Sequence, residues 1–294
     1  MIIKKIALDA GHGLKTSGKQ TPDGIKEWTL NDKVRDKVVE LLKDYNVEFI
    51  FPDKNEGNID ESLTSRRTMY LNQKVDAAIS IHHNAYTNTW NKATGVEIFT
   101  DKNPTVKDKA LAKAIYKNLS IYTGLKGRGI KEENWAVINQ NCTPAVLVEG
   151  GFMDSTIDYP IITSDKGQEG YAKAIAEGLI EFLSLERKQV GWKQINSKWY
   201  YFDENCNIVT GWHNLSWKNI KSWYYFDDNG IMVASKWIKS KNKDYYLTSS
   251  GSMATNSYIK STSSSVYYWV GADGAWQPEW NTNTPDLKKY KVVK

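Results

Sequence analysis

The chain has 294 residues but only two cysteines, Cys142 and Cys206, one in each half. Neither lies in a Cys-x-x-Cys spacing, so a thiolate metal site is not indicated, and two free thiols are expected. No segment approaches the ~18–20 consecutive apolar residues of a membrane span, so none is expected. The opening M-I-I-K-K-I-A-L-D-A-G-H-G lacks the layout of a signal peptide: its apolar run is short and passes straight into a polar glycine loop. Synthesis in the cytoplasm is the expectation, with any external target reached by another route. Strong charge of one sign is also missing. A net charge of +5 suits approach to an anionic polymer but does not demand nucleic acid, and no nucleic-acid partner is expected.

What the chain has in excess is aromatic rings. Its 12 Trp and 17 Tyr are concentrated after residue 190. Hydrophobic and charged contents of 40% and 25% are otherwise those of a soluble globular protein. The asymmetry divides the chain into residues 1–183, a short charged linker S-L-E-R-K-Q-V at 184–190, and residues 191–294.

In the first part, strands and helices alternate. Residues 2–8, 47–51, 76–81, 95–100, 136–138 and 145–149 read as strands. Residues 28–45, 61–73, 105–122 and 171–183 read as helices. Leu63, Thr64, Arg67 and Leu71 of the second helix are expected inside or near the site. The pattern predicts an α/β fold: an open, mostly parallel sheet with helices on both faces. Three strands run out into chemistry. The first leads into Asp9-Ala10-Gly11-His12-Gly13, another into His82-His83-Asn84. The buried run Ala145–Val148 delivers Glu149, where Gly150 and Gly151 allow a sharp turn and a close backbone approach. Glu27 stands at a helix entrance. Each has a bland alternative: a solvated loop histidine, or a carboxylate facing a helix dipole or an arginine. Together, two histidines and a carboxylate make the ligand set of a hydrolytic zinc site, and a second carboxylate makes a general base.

The motifs L-D-A-G-H-G (8–13), Glu27, S-I-H-H-N (80–84), G-V-E-I-F (95–99) and L-V-E-G-G-F (147–152) span the whole part in order. In this, residues 1–183 resemble the zinc-dependent N-acetylmuramoyl-L-alanine amidases. The resemblance implies a Zn2+ ion held by His12, Glu27 and His82, with Glu149 as the catalytic carboxylate and His83 as a neighbour. Two departures, Leu14 after Gly13 and a short loop to Glu27, bear on substrate fit and remove no ligand.

From Gly191 a repeat of about twenty residues begins, each unit an aromatic strand, a turn and a second strand. Such hairpins cannot bury their own aromatic face and must stack on neighbours. Alternation leaves some rings exposed, and exposed ring clusters suit a quaternary ammonium. The G-W…W-Y-Y-F-D…G pattern resembles choline-binding repeats. The resemblance implies cages from neighbouring hairpins: Trp192, Trp199 and Tyr225 for a first, Trp212, Trp223 and Tyr246 for a second. Asp244 and Val266 fall in the matching slots of the later units, whose sites are expected to be degraded, or to serve packing or self-association into a homo-oligomer. The tail after Pro278 carries no readable pattern.

The implied function is peptidoglycan hydrolysis at the bond between N-acetylmuramic acid and L-Ala. The enzyme is anchored to choline on teichoic acid, as an endolysin released by a holin or as an autolysin. Two alternatives remain at this point: a non-catalytic choline-binding surface protein, and a zinc peptidase acting on stem peptides.

Overall fold

A computed structural model describes residues 2–53, 57–139 and 143–293; Cys142 lies outside them. The chain forms two compact units, Met1–Lys188 and Gln189–Lys294.

The first unit is built on six strands: β1 (Lys4–Ala10), β2 (Val47–Ile50), β3 (Ala77–Asn84), β4 (Val96–Asp101), β5 (Gly127–Glu133) and β6 (Ala145–Phe152). They lie in the order β2-β1-β3-β6-β4-β5. The first four of these are mutually parallel, β4 runs antiparallel to β6, and β5 is parallel to β4. Side-chain alternation gives the sheet two apolar faces. On one, Ile6, Leu8, Ile79, Ile81, Val146 and Val148 meet three helices, α1 (Glu27–Leu42), α3 (Val106–Thr123) and α5 (Asp165–Leu183). On the other, Ala7, Ala78, Phe99 and Leu147 are covered by Tyr70 of α2 (Leu63–Gln73) and by Val75, Val137 and Ile138. The expected architecture of helices on both faces of a mostly parallel sheet is the one found.

The sequence predicts a strand at 136–138, but a turn is present instead. Val137 and Ile138 are apolar because they cover the sheet, not because they belong to it. The strand that the periodicity missed is β5, G-R-G-I-K-E-E, whose charges are tolerated at a sheet edge. Helix α5 starts six residues before Tyr171, capped by the Ser164 side chain, which accepts from the Gly167 N–H; a short α4 (Tyr159–Ile162) precedes it. Residues 185–188 do not behave as a free linker. Leu185 is buried in the core, and the backbones of Asn46 and Lys188 bond to Glu186 and Asp44.

The second unit is a series of four hairpins: β7 (Gly191–Ile195) with β8 (Lys198–Phe202), β9 (Gly211–Trp217) with β10 (Ile220–Phe226), β11 (Lys236–Ser240) with β12 (Lys243–Leu247), and β13 (Ser257–Lys260) with β14 (Tyr267–Val270). In the first three, a two-residue loop has both residues at positive φ: Asn196-Ser197, Lys218-Asn219 and Lys241-Asn242. That is the turn whose twist matches the strands it joins. The tail is not patternless: β15 (Lys291–Val293) adds in parallel to β13.

Candidate functional site

His12, Glu27 and His82 converge. Among the described residues they form the group able to hold a metal ion, with one ligand atom from each lying within 4.8 Å of the others. His12 Nε2 is 3.3 Å from Glu27 Oε2, and His82 Nδ1 is 3.0 Å from Glu27 Oε1. Gly11 is required by this geometry: a Cβ there would lie 2.1 Å from the His82 ring. The second nitrogen of His82, Nε2, is 3.1 Å from Ser80 Oγ, and the Ser80 hydroxyl donates to Asp9 Oδ2 at 2.8 Å. With that hydroxyl hydrogen committed to Asp9, the Ser80 oxygen is free to accept from Nε2–H, while Nδ1 lies within hydrogen-bond distance of Glu27 Oε1. His83 stays out of the cluster. Its backbone N–H donates to Glu27 Oε1 and its Nδ1 faces Asn31 Oδ1 at 2.8 Å.

Glu149 does not end its strand; it lies inside β6, paired in register with His82 on one side and Glu97 on the other. The two glycines continue β6 and do not turn it. Gly150 is there because the Tyr171 ring occupies the space of a side chain, 2.1 Å from where its Cβ would be. Glu149 is buried, and its Oε2 has no hydrogen-bond partner. Burial first, then the charges of Glu27 and Glu97, raise its carboxyl well above the usual range. Glu27 goes the other way. Burial opposes ionisation, but the hydrogen bond to His82 and the two imidazoles outweigh it and hold the carboxyl below its ordinary value. Burial lowers His12 to about 4, which leaves a neutral ring at neutral pH, the form that ligates metals.

In the second unit the rings form cavities between consecutive hairpins. One, of about 180 Å³, is lined by Trp192, Trp199, Trp217 and Tyr224 with Met232. The next, of about 290 Å³, is lined by Trp212, Trp223 and Tyr245 with Met253, and also by Lys241 and Asp273. The expected pairs Trp192–Trp199 and Trp212–Trp223 therefore each share a cavity. Tyr225 and Tyr246 do not complete them. Tyr225 packs on Trp212 at 5.3 Å, and Tyr246 on Trp237 at 5.2 Å. The reason is strand alternation. Tyr225 shares a face with Trp223, so the ring turned back toward the preceding hairpin is Tyr224, and likewise Tyr245 in the next unit.

Comparison with known proteins is consistent with both halves. The family model described as N-acetylmuramoyl-L-alanine amidase matches residues 6–181. The chain belongs to the N-acetylmuramoyl-L-alanine amidase family. Models described as choline-binding repeat match residues 190–237 and 233–276. The endolysin of Bacillus phage SPP1 is 31% identical over 190 residues, 64% of this chain and 69% of that protein. The probable cell wall amidase LytH of Staphylococcus epidermidis is 29% identical over 183 residues. That match covers 62% of this chain and 59% of LytH, so the chain spans under two thirds of the latter's length. Among solved structures, the catalytic domain of CwlV, an N-acetylmuramoyl-L-alanine amidase from Bacillus (Paenibacillus) polymyxa var. colistinus, aligns with a TM-score of 0.57 at 28% identity. The alignment covers 63% of this chain and all of that one. An amidase from Clostridium difficile 630 gives 0.58 at 26% identity, covering 63% and 98%.

Within the amidase unit, reading the sequence missed Arg66. The helix around it was expected to contribute Leu63, Thr64, Arg67 and Leu71, yet its buried side chains are Arg66 and Tyr70. The Arg66 guanidinium pairs with Asp9 and donates to the carbonyls of Ala10 at 3.1 Å and His12 at 2.7 Å. It thus ties the His12 loop to the Asp9–Ser80–His82 chain. A cavity of about 280 Å³ opens here, lined by His12, His82, Asp60, Ser62, Leu63 and Arg66. Glu97 stands in the middle of the G-V-E-I-F motif. It is buried, accepts from Asn84, and is paired with Arg128 at 2.8 Å and Lys131 at 2.5 Å. The signal for both was an isolated charge in an amphipathic or apolar segment, which many surface residues share.

Proposed function

We propose that the chain hydrolyses the amide between the lactyl group of N-acetylmuramic acid and the L-Ala of the stem peptide, and that its repeats hold it on the bacterial wall. The observation that carries this is the meeting of His12, Glu27 and His82 beside a buried, unpartnered Glu149 oxygen in a member of the amidase family. The donor set fits zinc. Ligands about 2.0–2.1 Å from a tetrahedral ion lie ~3.3 Å apart, close to the 3.0 and 3.3 Å separations of the imidazole nitrogens from the Glu27 oxygens. His12, Glu27 and His82 would hold it, with Ser80 fixing the His82 ring. When bound, zinc polarises the scissile carbonyl, lowers the pKa of water to about 7 and, as a nearby cation, favours the ionised form of Glu149.

Glu149 accepts the proton of the attacking water and delivers it to the L-Ala nitrogen as the C–N bond breaks. Glu97 is engaged by Arg128 and Lys131, whereas the Glu149 Oε2 beside it has no partner. The rings of the first two cages present faces to a quaternary ammonium, and choline on teichoic acid is the partner. Anchoring raises the local concentration of substrate without adding contacts at the reacting bond. Mass spectrometry of digested walls tests the reading. New L-Ala amino termini on intact glycan support it; new reducing ends, or cuts between amino acids, refute it.

A further inference from the structure

A third cavity, of about 340 Å³, follows the first two along the repeats and is lined by Trp237, Asp244, Tyr268 and Trp276. The backbone fixes which residues correspond. Met232 N–H bonds to the Trp199 carbonyl, Met253 N–H to that of Trp223, and Trp276 N–H to that of Asp244, each at 2.8 Å. Asp244 therefore stands where the earlier cages have tryptophan, and Trp276 stands where they have methionine. The slot assigned to Val266 from the sequence belongs, by the same register, to Tyr267 of β14.

The two exchanges compensate each other. One ring leaves the strand and another arrives from the following turn, so three rings remain. Trp237 and Tyr268 lie 6.0 Å apart at 86°, Trp237 and Trp276 at 6.4 Å, and Tyr268 and Trp276 at 6.0 Å and 89°. Trp276 is held in place by its Nε1–H, which donates to Asn281 Oδ1 at 3.0 Å. The expectation that this site is degraded, or serves packing or self-association, does not account for an open cage with an unpaired carboxylate in its wall. A carboxylate also lines the second cavity, that of Asp273, but it is paired with Lys243 at 3.0 Å, whereas among the described residues no hydrogen bond or ion pair engages that of Asp244.

A quaternary ammonium has no N–H and is satisfied by ring faces alone. An ammonium that carries N–H loses water hydrogen bonds in such a cage unless an acceptor replaces them, and a carboxylate is the strongest acceptor available. We propose that the third cage takes an ammonium bearing N–H, a primary or partly methylated amine of the ethanolamine type, where the first two take choline. This rests on the reading that the repeats bind ammonium groups of the wall.

The test is calorimetric titration of the full chain carrying Trp199→Ala and Trp223→Ala, which removes a ring from each of the first two cages. Ethanolamine should bind at one site about tenfold more tightly than choline, the worth of one hydrogen bond to a charged group. Adding Asp244→Asn should weaken ethanolamine about tenfold. In the otherwise unmodified chain, Asp244→Asn should leave choline uptake by the first two cages unchanged. Choline binding as tightly as ethanolamine in the Trp199→Ala/Trp223→Ala chain, or ethanolamine affinity indifferent to Asp244→Asn, overturns the assignment alone. Absence of any choline uptake by the unmodified chain overturns the wall-binding reading along with it.

Discussion

His12 sits at φ 66°, a left-handed conformation that costs a non-glycine residue roughly 1–2 kcal/mol. The strain persists because Arg66 holds the His12 carbonyl and Asn31 holds that of Gly11 at 3.1 Å, aiming the imidazole at Glu27. Position alone does not make Glu149 a base, so its role is testable apart from metal binding. Glu149→Gln should keep the metal and lower the rate of wall digestion by about 10²–10⁴, the usual range for general acid–base catalysis. A zinc-loaded variant of normal rate would remove Glu149 from the mechanism. His83 makes a separate prediction. Burial lowers its pKa to about 4 from 6.5, so in that interval the unfolded chain binds the extra proton. Its stabilising contribution is complete above 6.5 and declines as pH falls through 4, by about 1.4 kcal/mol per pH unit within the window. Thermal melts of the metal-free protein should show that decline, to which His12, also lowered to about 4, adds a share of its own, and His83→Gln should make it shallower; a melting profile unchanged by the substitution would contradict the assignment. The residue types at the site were legible because motifs carried them. Arg66 was not, since nothing in L-T-S-R-R-T distinguishes a buried arginine from its exposed neighbours.

Elements were legible where one period dominated. The buried strands and the three helices packed on one face announced themselves by apolar spacing. Edge strand β5 did not, because an edge tolerates charge, and Val137–Ile138 misled because any apolar pair can cover a sheet. In the repeats the units were readable but the ring partners were not. A one-residue difference in register exchanges Tyr224 for Tyr225, and only pairing across β9 and β10 decides it. The same register exposes a weak point. Cys206, at φ 64°, occupies the turn position filled by Gly230, Gly251 and Gly274 in the later units, at φ 73°, 81° and 80°. Cys206→Gly should stabilise the repeat unit by about 0.5–1 kcal/mol, read as a higher urea midpoint. A lowered midpoint would mean that the thiol packs better than the backbone is strained.

The whole molecule joins a hydrolytic unit to a set of ring cages, each with its own core. Residues 1–188 alone should cleave soluble wall fragments at the full chain's rate. On intact choline-bearing walls they should be slower by about ten- to a hundredfold, because tethering is lost. Equal rates on intact walls would leave the cages without a targeting role. Everything at this scale depends on one ion being shared by residues 70 positions apart in the chain, His12 and His82. The most direct measurement is the zinc content of the purified chain after chelation and reconstitution, beside that of His82→Ala. The geometry predicts one zinc per chain in the first and none retained in the second, with amide cleavage lost in step. Stoichiometric zinc in His82→Ala, or none in the unmodified chain, would contradict it.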